Sequence, residues 1–301
     1  VQVQIVPERD VVISTAADRS IKLVELSTRG KKGGMPFPQA MVASEAALHI
    51  VIDAAGRRML TVGASEPPEL WDLAARRLEP LARLSEQRAP VRTVALAETQ
   101  ALVVTGDEVG TLRAWDLMVD GGSAGAHVIG DHKTAIEAVG LSRSGSTLAS
   151  AGRDGQLRVW KIDEHGTPER LAVRSPGSPL QELTLSQDGR WIAGAAKNLI
   201  YVWDTRSQDG EAHIALAAHE QDIAYLAFST GDERLVTVDR DGVVLTWQMV
   251  AGGPVGEPSR RVELGSDVAA LVVSRERVAV GTLGVGQKGR VHAWALADTV
   301  E

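Results

Sequence analysis

The chain has 301 residues, 44% of them hydrophobic, which is enough apolar material for one large domain or two ordinary ones. Its formal net charge is −7 and its Lys and Arg residues are scattered, so we expect no binding to nucleic acid or to an anionic membrane. It contains no Cys, which excludes disulfides, thiolate metal sites and Cys nucleophiles and fits a reducing cytoplasm.

Six of the seven Trp residues recur at nearly constant intervals of 44, 45, 43, 44 and 47 residues. They are Trp71, Trp115, Trp160, Trp203, Trp247 and Trp294. The segment DRSIKLVEL places Val24 at the equivalent position, 47 residues before Trp71. A fixed period of this length is typical of repeat architectures, and seven copies in 301 residues give 43 residues for each copy.

Each copy has the pattern of several short strands separated by turn residues. In chain order, the fourth copy contains AIEAVGLS, TLASAG, QLRVWKI and ERLAVRS, with RSGS and RDG as the first two turns. Four short antiparallel strands correspond to one blade of a β-propeller. The sequence therefore predicts an all-β fold, with a single propeller over 1–301. Its blades are expected at 1–43, 44–87, 88–131, 132–175, 176–218, 219–265 and 266–301.

The sequence resembles the WD-repeat family along its whole length. WDL occurs at 71–73 and 115–117, and WDT follows at 203–205. The resemblance implies a seven-bladed propeller of WD-repeat type with four-stranded antiparallel blades. The first copy has lost the Trp, and three others keep the Trp but replace the Asp. The replacing residues are Lys161, Gln248 and Ala295.

The resemblance also implies a buried polar chain, or tetrad, that runs through a blade from a His to a Ser or Thr, an Asp and the Trp. In the fourth copy its members are His132, Ser150, Asp154 and Trp160. In the sixth copy, at the same distances of 28, 10 and 6 residues before the Trp, they are His219, Thr237, Asp241 and Trp247. The hydroxyl would accept a hydrogen bond from the indole N–H, and the Asp would tie the turn to the imidazole. Gly155 and Gly242 would allow a positive φ in that turn.

The other copies keep only parts of this tetrad. The first copy has Ser14 and Asp18, the second has Thr61 and the third has Thr105. The fifth and seventh copies have no Asp six residues before their Trp. A complete tetrad is therefore expected only in the fourth and sixth blades.

A His–Ser–Asp set also occurs in hydrolases, but the structural interpretation is favoured here. A nucleophilic Ser needs exposure and an oxyanion hole, whereas these hydroxyls are expected in mid-strand, and the set occurs twice.

The segment GVGQKGRV at 284–291 has the form of a kinase phosphate loop, yet only ten residues follow it, so a hairpin loop is expected. No His residues have metal-ligand spacing. We therefore predict no catalytic residue, no cofactor, no metal and no enzymatic activity.

The predicted function is a noncatalytic scaffold or sensor that binds a protein or peptide on a propeller face or on the blade sides. The family often uses the face that carries the turns between the second and third strands. Arg153 and Arg240 lie at the tips of two such turns, and Arg19 and Lys288 would extend a positive rim. Because Arg binds carboxylates and phosphates in bidentate fashion, an acidic or phosphorylated partner is our hypothesis. Two alternatives stay open, namely solvated arginines in ordinary turns and a metal-dependent hydrolase built on a propeller.

The last blade is expected to be incomplete. The outer strand of the second blade begins near Leu78, seven residues after Trp71, whereas the sequence ends seven residues after Trp294. Three strands are therefore predicted there, with an edge that other sequence or a partner would cover.

The chain begins with Val, and prokaryotic WD-repeat propellers often belong to large signalling or defence proteins, so we expect further domains in a cytoplasmic, multidomain protein. It has no signal-peptide pattern and no run of about 20 apolar residues, so no membrane span is expected.

Overall fold

The structure, a computed structural model, describes eleven segments of the chain. They are 2–6, 11–25, 41–47, 49–52, 57–73, 79–97, 102–116, 126–163, 167–207, 213–282 and 290–296. The elements in these segments are all β-strands, twenty-eight in number. Lys288 and most of GVGQKGRV lie outside the described residues, so the roles predicted for them stay predictions.

The chain divides into two compact units, Val1–Ile136 and Glu137–Glu301. The first unit contains three sheets of four strands each. The first sheet consists of β1 (Gln2–Val6), β2 (Val11–Thr15), β3 (Ser20–Glu25) and β4 (Met41–Val42). The second consists of β5 (His49–Ile52), β6 (Arg58–Val62), β7 (Glu69–Asp72) and β8 (Ala82–Arg83). The third consists of β9 (Val91–Leu96), β10 (Leu102–Asp107), β11 (Thr111–Asp116) and β12 (Ala126–Asp131).

The second unit contains the four remaining sheets. The fourth sheet consists of β13 (Ile136–Leu141), β14 (Thr147–Gly152), β15 (Leu157–Ile162) and β16 (Pro168–Arg174). The fifth consists of β17 (Glu182–Leu185), β18 (Trp191–Ala196), β19 (Leu199–Asp204) and β20 (Ile214–Leu216). The sixth consists of β21 (Ile223–Phe228), β22 (Arg234–Asp239), β23 (Val243–Val250), β24 (Gly253–Pro254) and β25 (Arg260–Glu263). The seventh consists of β26 (Val268–Val273), β27 (Arg277–Thr282) and β28 (Arg290–Ala295).

These seven sheets are the blades of a seven-bladed β-propeller, which confirms the predicted fold class. Consecutive strands pair in antiparallel register, for example with Leu148 opposite Trp160 and with Leu235 opposite Trp247. In the sixth sheet β23 pairs with both β24 and β25, so this blade has one strand more than predicted. The seventh sheet has three strands among the described residues, as expected for an incomplete last blade.

Within each unit, the core lies between consecutive sheets. In the second unit, Trp203 packs in a cluster with Leu157 and Val159 of the preceding sheet, and Trp247 packs in a cluster with Trp191 of its own preceding sheet. Sheets covered on both faces bury their central strands, and all six residues of β18 are buried. The repeating Trp residues are at most 3% exposed in five copies, while Trp294 in the last copy is partly exposed. Within each unit, the repeated Trp positions thus lie at the apolar contacts between neighbouring blades.

Two turns between second and third strands contain the glycines predicted to need a positive φ. Gly155 has φ +71° and Gly242 has φ +81°. A Cβ added to Gly155 would meet no atom within 4 Å, whereas one added to Gly242 would lie 2.6 Å from the Ser266 carbonyl oxygen. The two turns therefore share a conformation and differ in the space around it.

Substituting these glycines separates backbone conformation from steric contact. Gly155→Ala is expected to lower the free energy of unfolding by about 1 kcal/mol, the cost of a left-handed conformation for Ala. Gly242→Ala is expected to cost more, because the backbone at Ser266 must also move. Urea unfolding of both variants measures the difference. Equal losses in the two variants would contradict the contact at Gly242.

Candidate functional site

The sixth sheet contains a buried hydrogen-bonded chain that links its Trp to a carboxylate. Trp247 Nε1 donates to Thr237 Oγ1 at 3.1 Å, and Thr237 Oγ1 lies 2.8 Å from His219 Nε2. His219 Nδ1 lies 3.0 Å from Asp239 Oδ2, and the Val243 N–H donates to Asp239 Oδ1 at 2.8 Å. The four side chains are at most 4% exposed. This tetrad therefore connects the loop before β21 with β22 and β23.

The acid in this tetrad is Asp239, whereas Asp241 was the predicted residue. Side chains two apart on a strand point to the same face, so Asp239 shares the buried face of β22 with Thr237. Asp241 lies beyond the strand, in the turn, and is exposed. The prediction for Asp241 is therefore wrong, and the acid lies eight residues before the Trp instead of six. Burial lowers the pKa of His219, and the Asp239 carboxylate opposes this effect.

The third sheet contains an equivalent chain that was not predicted. Trp115 Nε1 donates to Thr105 Oγ1 at 2.9 Å, and Thr105 donates to Gln87 Oε1 at 3.0 Å. Gln87 Nε2 donates to Asp107 Oδ2 at 3.0 Å. An amide can replace the imidazole because it offers both a donor and an acceptor. The signal in the sequence is the spacing, since Gln87 and Asp107 precede Trp115 by 28 and 8 residues, as in the sixth copy.

The fourth sheet holds the other predicted tetrad. Asp154 lies in the turn after β14, where its carboxylate forms an ion pair with Arg158 at 2.8 Å. Gly152 occupies the position eight residues before the Trp, where the sixth copy has its acid. The predicted role of Asp154 stays a prediction. The remaining members are at most 3% exposed, and they are His132, Ser150 and Trp160.

The arginines predicted to hold a partner differ in their surroundings. The Arg153 guanidinium contacts the Glu137 carboxylate, so its charge is already paired. Arg240 is exposed, and no acid or hydrogen-bond acceptor among the described residues contacts its guanidinium. Arg19 is exposed in the first unit, in a turn where it has φ +70°. Of the predicted rim residues that the structure describes in the second unit, Arg240 is the one whose charge is not already paired.

Arg240 lines a cavity of about 470 Å³ in the second unit, which we call the inner-strand pocket. The pocket lies where β17, β21 and β26, the first strands of three consecutive sheets, begin. The turn that carries Arg240 is at the same end, because the Arg240 N–H donates to the Asp222 carbonyl at 3.0 Å. Its walls include Glu182, Ile223, Tyr225, Arg240, Asp267 and Val268. The pocket therefore combines two acids, one cation, an aromatic ring and apolar side chains.

Glu182 is the ionisable group that the pocket perturbs most. It is the first residue of β17, partly buried, and among the described residues no cation or hydrogen-bond donor contacts its carboxyl group. Burial raises its pKa to about 7. The Tyr225 hydroxyl donates to the Ala269 carbonyl at 2.9 Å, and burial, together with the charge of Glu182, raises the pKa of Tyr225. The pocket thus holds a carboxyl group that has no partner in the part of the chain that the structure describes and that has a pKa of about 7.

The hydroxyls of the predicted His–Ser–Asp and His–Thr–Asp sets are inaccessible. Ser150 and Thr237 are both 0% exposed, so a substrate could not reach either of them. Within the described segments, no group of three His, Asp or Glu side chains is arranged to hold a metal ion. That part of the chain also has no helix of the length and apolarity needed to cross a membrane.

Comparison with known proteins finds one family match and several distant relatives. The family model described as "WD domain, G-beta repeat" matches residues 126–161, which contain β12 to most of β15. Target of rapamycin complex subunit wat1 from Schizosaccharomyces pombe is 22% identical over 196 residues, which are 64% of this chain and 61% of that protein. Target of rapamycin complex subunit LST8 from Mus musculus is 25% identical over 159 residues, or 53% of this chain and 46% of that protein. Cilia- and flagella-associated protein 52 from Homo sapiens is 21% identical over 193 residues, or 64% of this chain and 30% of that protein.

The matches cover less than two thirds of the length of each of these relatives. All three relatives come from eukaryotes, so they do not support the expectation of a prokaryotic multidomain parent protein. The family match at residues 126–161 agrees with the repeat found in the sequence and with the propeller blades of this chain.

Proposed function

We propose that this chain, a WD-repeat β-propeller, is a noncatalytic scaffold that binds a segment of a partner protein at the inner-strand pocket. The observation that carries this proposal is the pocket itself, which is lined by Arg240 and Glu182, two charged groups that have no partner among the described residues. Charged groups without partners at an open cavity are typical of a recognition surface, since a ligand can supply the missing contacts.

The relatives support a role within a larger assembly. Two of them are named as subunits of target of rapamycin complexes. We infer that this chain likewise acts as one subunit of a protein complex. The absence of Cys supports a reducing cytoplasm as its place of action.

The acidic or phosphorylated partner predicted from the sequence depends on free arginines. Arg240 supports it, because its guanidinium can still form a bidentate pair with a carboxylate or phosphate. Arg153 adds nothing to it, because its guanidinium already contacts Glu137. For Arg153 the alternative of an ordinary turn arginine fits better.

Charge reversal at Arg240 tests the proposed binding face. Arg240→Glu is expected to reduce recovery of the partner at least about tenfold in pull-downs with the tagged chain, since losing an interfacial charge pair costs about 2 kcal/mol or more. Arg206→Glu is the matched control, because Arg206 is exposed just beyond the far end of β19. The same partner is expected with wild type and Arg206→Glu, and both variants should unfold at the wild-type temperature. A partner recovered equally with Arg240→Glu would place the interface elsewhere.

Elemental analysis of the same purified protein tests the alternative of a metal-dependent hydrolase. The described residues offer no grouped ligand set, so substoichiometric metal is the expected result. One divalent ion per chain would favour the hydrolase instead.

A further inference from the structure

We propose that the inner-strand pocket takes a Lys or Arg side chain of the partner segment, with Glu182 as its counter-ion. This inference rests on the proposed function and refines it: the basic side chain enters beside Glu182 and Asp267, while an acid elsewhere in the same segment pairs with the exposed Arg240, so Arg240→Glu still weakens binding of the whole segment.

The charges around the pocket favour a cationic ligand. Glu182 and Asp267 line the pocket, and Arg240 is the cation among the lining residues. Two more exposed acids flank Arg240, since its N–H donates to the Asp222 carbonyl and Asp241 follows it in the chain. A carboxylate that entered the pocket would therefore face at least two acids, whereas an ammonium or guanidinium group would be attracted by them.

One further cation lies near the pocket without lining it. Lys197 is exposed in the turn between β18 and β19, and its carbonyl accepts a hydrogen bond from the Ile223 N–H at 2.8 Å. The charged residues that line the pocket itself are two acids and one cation, so the lining carries an excess of negative charge when Glu182 is ionised.

The apolar walls suit the stem of a basic side chain. Ile223 and Val268 line the pocket and can pack against methylene groups, as the stems of Lys and Arg do in proteins. The Tyr225 hydroxyl is engaged with the Ala269 carbonyl, so its ring forms part of the wall where a cation–π contact can form. A volume of about 470 Å³ accommodates one such side chain together with water.

The state of Glu182 in the free protein agrees with a missing counter-ion. A carboxyl group that is partly removed from water and has no partner among the described residues resists ionisation, which is why the pKa of Glu182 lies near 7. A cation bound beside it favours the ionised form, so binding and deprotonation are coupled. Binding is therefore stronger at about pH 8 than at about pH 6, where Glu182 keeps its proton. The other groups that face it across the pocket are Asp267, Arg240 and Tyr225.

Three capped tripeptides of the form acetyl-Ala-X-Ala-amide test the proposal on the full chain. X is arginine, its neutral isostere citrulline, or phosphoserine, and binding is measured by calorimetry and ligand-detected NMR at millimolar peptide concentrations. The arginine peptide is expected to bind at least about tenfold more tightly than the citrulline peptide, because it adds a charge-assisted contact. Its affinity is expected to increase between about pH 6 and about pH 8.

Glu182→Gln is expected to weaken binding of the arginine peptide about tenfold and to remove its pH dependence. Glu137→Gln is the matched control, because Glu137 is the second residue of the first strand of the fourth sheet and its carboxylate already contacts Arg153. That variant should bind the arginine peptide within about twofold of wild type. Asp267→Asn gives a second, independent test and should weaken binding by a smaller factor. Circular dichroism and cooperative thermal unfolding show that each variant is folded.

Equal affinity for the arginine and citrulline peptides would overturn the inference, as would binding that is unchanged in Glu182→Gln. Absence of any arginine-peptide binding would overturn it too. Preferential binding of the phosphoserine peptide, lost in Arg240→Glu, would assign an acidic partner to the pocket and leave the proposed function intact. The proposed function fails separately, when partner recovery does not distinguish Arg240→Glu from Arg206→Glu.

Discussion

Trp247→Ala is expected to lower the free energy of unfolding by about 3–5 kcal/mol. The indole is 0% exposed and belongs to a cluster that joins the fifth and sixth sheets, where it packs with Trp191 and Leu235. The substitution removes this apolar contact area and leaves a cavity between two blades. It also removes the donor to Thr237 Oγ1. Guanidinium unfolding at constant pH measures the loss.

Trp294→Ala is the matched control for this result. Trp294 occupies the same position in the last copy, but it is partly exposed, and its Nε1 has no hydrogen-bond partner among the described residues. Its truncation is expected to cost roughly half as much, because less area is buried and no hydrogen bond is lost. Equal losses for the two substitutions would show that burial between blades does not account for the repeat of Trp.

Asp239→Ala is expected to cost about 2–4 kcal/mol, since it leaves one buried and one partly buried donor unpaired, and an unpaired buried donor costs roughly 1–3 kcal/mol. These donors are His219 Nδ1 and the Val243 N–H. Asp241→Ala changes an exposed side chain and should stay within about 0.5 kcal/mol of wild type. Urea unfolding of the two variants side by side compares the acid found in the structure with the one predicted from the sequence.

A larger loss for Asp241→Ala than for Asp239→Ala would contradict the tetrad described here. His219→Gln extends the test, because Gln87 fills the equivalent position in the third sheet with hydrogen bonds to Thr105 and Asp107. This variant is expected to be more stable than His219→Ala, since an amide can still bridge a hydroxyl and a carboxylate.

The fold was predictable because its signals are local and repeated. A Trp in six of the seven copies, alternating strands and polar turns predict where blades begin and which face is buried, and the copies agree with one another. The observed strands of the fourth sheet, Ile136–Leu141 to Pro168–Arg174, coincide with the segments expected there. The positive φ at Gly155 and Gly242 was predictable for the same reason, since a tight turn constrains its own residues.

The tetrads were only partly predictable. His219, Thr237 and Trp247 meet as expected, but the choice between Asp239 and Asp241 depends on where the strand ends and the turn begins. Within a strand, two residues that are two positions apart point to the same face of the sheet. This relation no longer holds for a residue that lies beyond the strand, in the turn. The tetrad of the third sheet was missed for two reasons. Its acid, Asp107, is the last residue of β10 and does not lie in the turn, and Gln87 occupies the position where a His was expected.

The sequence by itself thus determined the number of blades, their strands and the buried Trp positions, because these follow from periodic contacts between segments close in the chain. Only the tertiary structure decided which charges are free. Arg153 and Arg240 look alike in the sequence, yet one meets Glu137 and the other lines an open pocket. Glu182 and Asp267 come from different blades to the same cavity, and no local pattern signals that meeting. Pairing and burial set the energy of a charge, and both depend on neighbours that are distant along the chain.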